Sequence, residues 1–86
     1  MSLPRGQPRF WVESRSTADN TNGVWHRAGT VEDARRLRES LTEAGNKCVI
    51  IYEWIGLRYA AVEGAEKGVQ TMVPPFWEGY LDSDEK

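Results

Sequence analysis

The chain reads as a small α+β domain of order β-β-α-β-β, and three observations predict it. Residues 30–45 carry a complete helix grammar, residues 9–15 alternate with a period of two, and residues 47–55 form a nearly continuous β-branched and aromatic run. Together they specify a two-layer domain, one antiparallel-type sheet packed on one helix, with an aromatic C-terminal extension. The expected organisation is a flexible lead-in over 1–8, a single α+β domain over 9–73, and an aromatic segment with an acidic tail over 74–86.

The lead-in holds Pro4, Gly6 and Pro8, which favour extended chain over a hydrogen-bonded ladder. From Arg9 to Arg15, Phe10, Val12 and Ser14 fall on one face and Trp11, Glu13 and Arg15 on the other, the period of a strand. The polar stretch Ser16 to Gly23 ends in Asn-Gly, a turn signal. It is long for a tight hairpin, which makes it a place for mobility or partner contact. Val24 to Ala28 is a short strand, with Val24, His26 and Ala28 opposite Trp25 and Arg27.

The helix comes next. Thr30 with Asp33 three residues on is a near capping box, and Glu32 and Asp33 sit where the helix dipole is positive. Val31, Ala34, Leu37, Leu41 and Ala44 recur at steps of three and four and line one face. Gly45 supplies a left-handed terminus. The stripe is narrow, so the helix must approach the sheet closely.

Lys47 to Ile55 suits a central strand covered on both faces, with either Ile50 or Ile51 opposing the helix. Ile55-Gly56 is the expected hairpin tip, and Leu57 to Val62 the returning strand. Val69 to Val73 has the make-up of a short fifth strand, ended by Pro74-Pro75. Phe76, Trp77, Tyr80 and Leu81 place large apolar groups on a segment with no clear period. Such groups either fold back on the sheet or dock on another chain. Asp82 to Lys86 is expected to be disordered.

Eighty-six residues make one thin-cored domain, burying roughly 60–65% of its unfolded surface. A net charge of −2 argues against a protein whose main task is neutralising phosphate, although residues 1–29 are net basic and residues 65–86 net acidic. The single cysteine, Cys48, cannot close an intrachain disulfide, which fits a reducing cytoplasm. Met1 to Gly6 has no apolar h-region, so no signal peptide is expected. No run approaches the roughly 18 apolar residues of a membrane span, so no membrane association is expected.

Catalytic and metal chemistry find little footing. His26 is the only histidine, and a nucleophilic pair would need Cys48, which opens an apolar strand where cysteine behaves as a small hydrophobe. One Cys and one His cannot assemble a four-ligand zinc site. The acidic tail has no glycine-centred calcium loop, and Gly64 to Gly68 matches no phosphate cradle. The chain is expected to be no enzyme and to carry no catalytic residue, metal or cofactor.

Binding is better supplied. Arg35, Arg36 and Arg38 cluster on the helix, but Arg35 lies four before Glu39 and Arg36 four after Glu32, so intrahelical pairs on a solvent face are expected. Trp11, Trp25, Arg27 and Arg58, joined by Phe76, Trp77 and Tyr80, interleave aromatics and guanidiniums. If Trp11, Trp25 and Arg58 share the sheet face away from the helix, that surface grips a protein partner or stacks bases, unless the C-terminal segment covers it.

Trp25 to Thr30, the following Glu-Asp-Ala-Arg-Arg-Leu, and Ala44-Gly45 before a strand resemble the first half of a SPOR-type peptidoglycan-binding repeat. That family's second helix has no counterpart in residues 65–86, and no ligand or binding residue is carried over. The expected function is a non-catalytic protein-binding module, an adaptor or an inhibitor of a larger protein or complex, of the kind common among phage and mobile-element accessory products. A homodimer through an edge strand is compatible with this. The alternative is a small nucleic-acid-binding domain using the same Arg and Trp residues.

Overall fold

The computed structural model describes residues 3, 6–17, 23–65, 69–72 and 74. Its elements are β1 (Phe10–Arg15), β2 (Val24–Ala28), α1 (Val31–Glu43), β3 (Cys48–Trp54) and β4 (Tyr59–Glu63). The expected order stands. The four strands form one antiparallel sheet in the order β2-β1-β3-β4, so β2 and β4 are its edges.

The helix is closed as its sequence requires. Thr30 is extended and its Oγ1 accepts from the Asp33 N–H at 3.1 Å. At the other end Gly45 has φ of 106°, the Gly45 N–H donates to the Thr42 carbonyl at 3.1 Å, and the Asn46 N–H donates to the Leu41 carbonyl at 3.2 Å. Those two bonds are a Schellman motif, satisfying carbonyls that the helix leaves open.

Ala34, fully buried, lets α1 settle on the sheet, with Val31, Leu37 and Leu41 beside it. The opposing face is Phe10, Val12, Ala28, Val49 and Ile51. Ile51 therefore faces the helix, and Ile50 joins Trp11, Cys48, Tyr52 and Tyr59 in a second cluster on the far face. Both faces of β1 and β3 are covered, which is why β3 reads as a nearly continuous apolar run.

Three expectations change. The hairpin tip is longer than Ile55-Gly56: the Ile55 N–H donates to the Arg58 carbonyl at 2.9 Å, and β4 starts only at Tyr59. Residues 69–72 form no strand. Instead they cross the far face, where Val69 packs on the second cluster, and Pro74 is buried. Arg35 does not pair with Glu39. Its guanidinium reaches Glu63 Oε1, with Nη2 at 2.6 Å, and Arg38 Nη1 reaches Glu63 Oε2 at 3.3 Å, while Arg36 pairs with Asp33 at 3.3 Å.

A β-bulge accounts for the Glu63 clasp. Tyr52 opposes Ala61 but Ile51 opposes Glu63, so Val62 is an extra residue on β4. Without it Glu63 would point to the far face; with it Glu63 shares Ile51's face, beneath α1. Gly64, at φ of 84°, then passes against Val49, where a Cβ would lie 2.0 Å from the carbonyl oxygen.

Candidate functional site

The far face of the sheet is not bare. Glu13 and Arg15 project onto it from β1, each with a side chain at 0% exposure. Arg15 Nε donates to Glu13 Oε2 and Arg15 Nη2 to Glu13 Oε1, both at 2.9 Å. Tyr52 OH donates to Glu13 Oε1 at 2.8 Å and accepts from the Met72 N–H at 3.1 Å, and Arg15 Nη2 also donates to the Gln70 carbonyl at 2.6 Å. Burying two charges is tolerable only where their lone pairs and protons are satisfied, and residues 70–72 supply part of that satisfaction. The network thus staples the 69–72 segment onto the sheet.

Its electrostatics are mutually consistent. Burial above all, with the Glu13 contact adding to it, pushes the Tyr52 phenol well above its ordinary range against the opposing Met72 N–H, so the hydroxyl stays a donor to Glu13. The hydrogen bond to Glu13 raises Arg15 and holds it charged. Trp25 lies over this network, its ring 5.1 Å from Tyr52 and 6.2 Å edge-on from Trp11.

The other end of the far face is covered by the lead-in. Arg27 stacks 5.5 Å over Trp11 and its Nη2 donates to the Gly6 carbonyl. Tyr59 OH donates to the Pro8 carbonyl at 2.5 Å, and its phenol is raised by burial, which outweighs the bond from Trp11 and the charge of Arg27.

The expected contact residues are therefore placed unequally. Trp11 and Trp25 do share the far face, but Trp11 is only 1% exposed and serves as core. Trp25 is half-buried and Arg27 exposed, both on edge strand β2. Arg58 is exposed in the β3–β4 turn, beside Tyr59 and Met72 at the opposite edge, so it is not brought to Arg27. Phe76, Trp77 and Tyr80 lie outside the described residues. His26 sits on the helix side and hydrogen-bonds Ser14 Oγ at 3.3 Å, whereas Cys48 belongs to the far-face cluster; the sheet separates them. Among the described residues no group of His, Cys, Asp or Glu is placed to hold a metal, and no helix is long and apolar enough to cross a membrane.

The open feature is the outer edge of β2. The Trp54 N–H donates to the Arg9 carbonyl at 2.9 Å, so the odd residues of β1 bond to β3. By the alternation of an antiparallel ladder, Phe10, Val12 and Ser14 bond to Ala28, His26 and Val24. The backbone N–H and C=O groups of Trp25 and Arg27 consequently point outward, and among the described residues no strand lies beyond them.

Beside this edge, between β2 and α1, runs a groove of about 410 Å³, floored by Ala28, Gly29 and Leu37 and rimmed by Arg27, Asp33, Arg36 and Ser40. Val24, on the same face, is 60% exposed. The two edges differ. β4 is blunted by its bulge at Val62, and Thr71 and Met72 lie beside Ala60 and Ala61. β2 has neither bulge nor proline, and its one charge, Arg27, is turned over Trp11. Those are the usual protections of an edge, and among the described residues β2 lacks them.

The sequence marks Trp25 and Arg27 by their side chains and gives no sign that their backbones form the open edge. The strand order decides that, and no local signal carries it. Comparison with family models, curated proteins and solved structures finds no match, the SPOR-type family included, so the function must be inferred from the geometry alone.

Proposed function

We propose that the chain is a non-catalytic protein-binding module, an adaptor or inhibitor acting in the cytoplasm, which grips its partner by strand addition along the outer edge of β2. The observation that carries this reading is the pair of outward-facing peptide groups at Trp25 and Arg27 beside an open groove. An extended segment laid there would bond to both residues through its main chain. Its alternate side chains would enter the groove over Ala28 and Leu37, where a small aliphatic group fits, beside the Asp33–Arg36 ion pair on the rim.

Nucleic-acid binding through the same Arg and Trp residues has less support. Trp11, Tyr52 and Tyr59 are buried and offer no stacking platform, and Arg27 is engaged with Gly6 and Trp11. A titration with labelled DNA and RNA at two salt concentrations separates the readings, since phosphate contacts would give a steep salt dependence.

The direct test is a benzophenone photo-crosslinker at Val24, compared with one at Glu39 on the exposed side of α1. Adducts with a polypeptide at position 24 and none at position 39 are expected. Equal labelling at both, or none at either, contradicts docking at β2.

A further inference from the structure

The β2 edge and its groove are complementary to themselves, and we infer that the occupant is a second copy of this chain, its β2 paired antiparallel with the first about a two-fold axis at His26. This rests on the strand-addition reading above and names the partner. Full overlap of Val24–Ala28 with its own copy admits one register, with His26 at the axis. Trp25 then opposes Arg27 of the second copy, and Arg27 opposes its Trp25, so the outward N–H and C=O groups found at these two residues are all satisfied in four bonds.

The same register matches the side chains. Val24, 60% exposed, is set opposite Ala28 of the second copy, at the mouth of the groove over Ala28, Gly29 and Leu37. Among the described residues, an apolar group without cover and a groove without a filling sit four residues apart on one face, and two-fold pairing unites them twice. Slippage is penalised. Centring on Arg27 sets two guanidiniums directly opposite, and centring on Trp25 sets Val24 opposite His26, away from the groove. The rim carries both signs, Asp33 and Arg36, so an identical rim brought against it meets no uniform like charge. The product is one eight-stranded sheet with an α1 from each copy on the same side.

Sedimentation of the full chain over a range of concentrations is expected to show a reversible dimer. Val24→Lys, which replaces an apolar group over the Ala28 and Leu37 floor of the second copy's groove with an ammonium, should weaken the dimer at least about tenfold with an unchanged circular dichroism spectrum. In a Cys48→Ala background, His26→Cys should form a covalent dimer on mild oxidation, because a non-hydrogen-bonded pair brings Cα atoms to roughly 4.5 Å. Glu39→Cys should not. Val24 stands outside the monomer's packing, so its variant keeps the test valid should His26→Cys not fold.

A dimer indifferent to Val24→Lys, or cross-linked no better at 26 than at 39, overturns the inference. A monomer at all concentrations overturns it as well. If that monomer still captures a different polypeptide through the crosslinker at Val24, strand addition survives and only the second copy is lost; if it captures nothing there, both fail.

Discussion

Glu13 and Arg15, two residues apart on β1, form a bidentate ion pair with neither side chain exposed. The pair fixes the character of the far face, because carbonyl and hydroxyl groups from β3 and residues 70–72 must stay in place to satisfy it. Removing one partner leaves the other charge buried. Arg15→Met and Glu13→Leu should each cost about 3–5 kcal/mol in denaturant unfolding, and the double replacement should recover much of that loss. Additive losses would show that the two side chains do not act as a pair.

Tyr52→Phe removes the hydroxyl that donates to Glu13 and accepts from the Met72 N–H. A loss of about 1–3 kcal/mol is expected, as for other buried groups left unsatisfied. Amide exchange should show the Met72 N–H losing protection, while that of α1, on the other face, changes only with global stability.

Glu63 carries a pH dependence of known sign. The Arg35 and Arg38 guanidiniums hold its carboxyl below the ordinary 4.5, with the Arg35 hydrogen bond first, against a smaller opposing cost of burial. A depressed carboxyl contributes stability that is present above its unfolded pKa and lost as pH falls through its folded one. The wild type should therefore lose more stability than Glu63→Gln between about pH 5 and pH 3. The difference will be modest and salt-sensitive, because Arg35 is 61% exposed. Parallel acid limbs for the two proteins would contradict the clasp.

Gly64→Ala should destabilise by more than about 2 kcal/mol, since left-handed backbone and a Cβ against the Val49 carbonyl act together. Gly29→Ala, where a Cβ meets nothing within 4 Å, should stay within about 0.5 kcal/mol. Equal thermal shifts in the two variants would argue against the close passage of β4 over β3.

The helix was legible because its signals are local: Thr30, the three–four spacing of Val31 to Leu41, and Gly45 act within a few turns of themselves. Strand alternation likewise separated Phe10 and Val12 from Trp11, Glu13 and Arg15. What it hid was that the second set is buried, since a Glu and an Arg on one strand face ordinarily mark solvent. Their same-face spacing beside Trp11 was the available signal, but its meaning depends on Tyr52 and Gln70, far along the chain. The bulge at Val62 was equally silent, and it diverted Arg35 from the intrahelical partner that spacing favours. For the candidate site, Trp25 and Arg27 were visible as residues, whereas the openness of their backbone comes from β2 ending the sheet.

Amide hydrogen exchange at Trp25 and Arg27 tests the docking edge most directly, because these N–H groups point away from β1 and owe the monomer's ladder nothing. Slow exchange at both residues whenever the chain is associated, and fast exchange when it is diluted to monomer, with His26 and Ala28 protected throughout, is the expected result. Fast exchange at Trp25 and Arg27 in the associated state would contradict strand addition at β2.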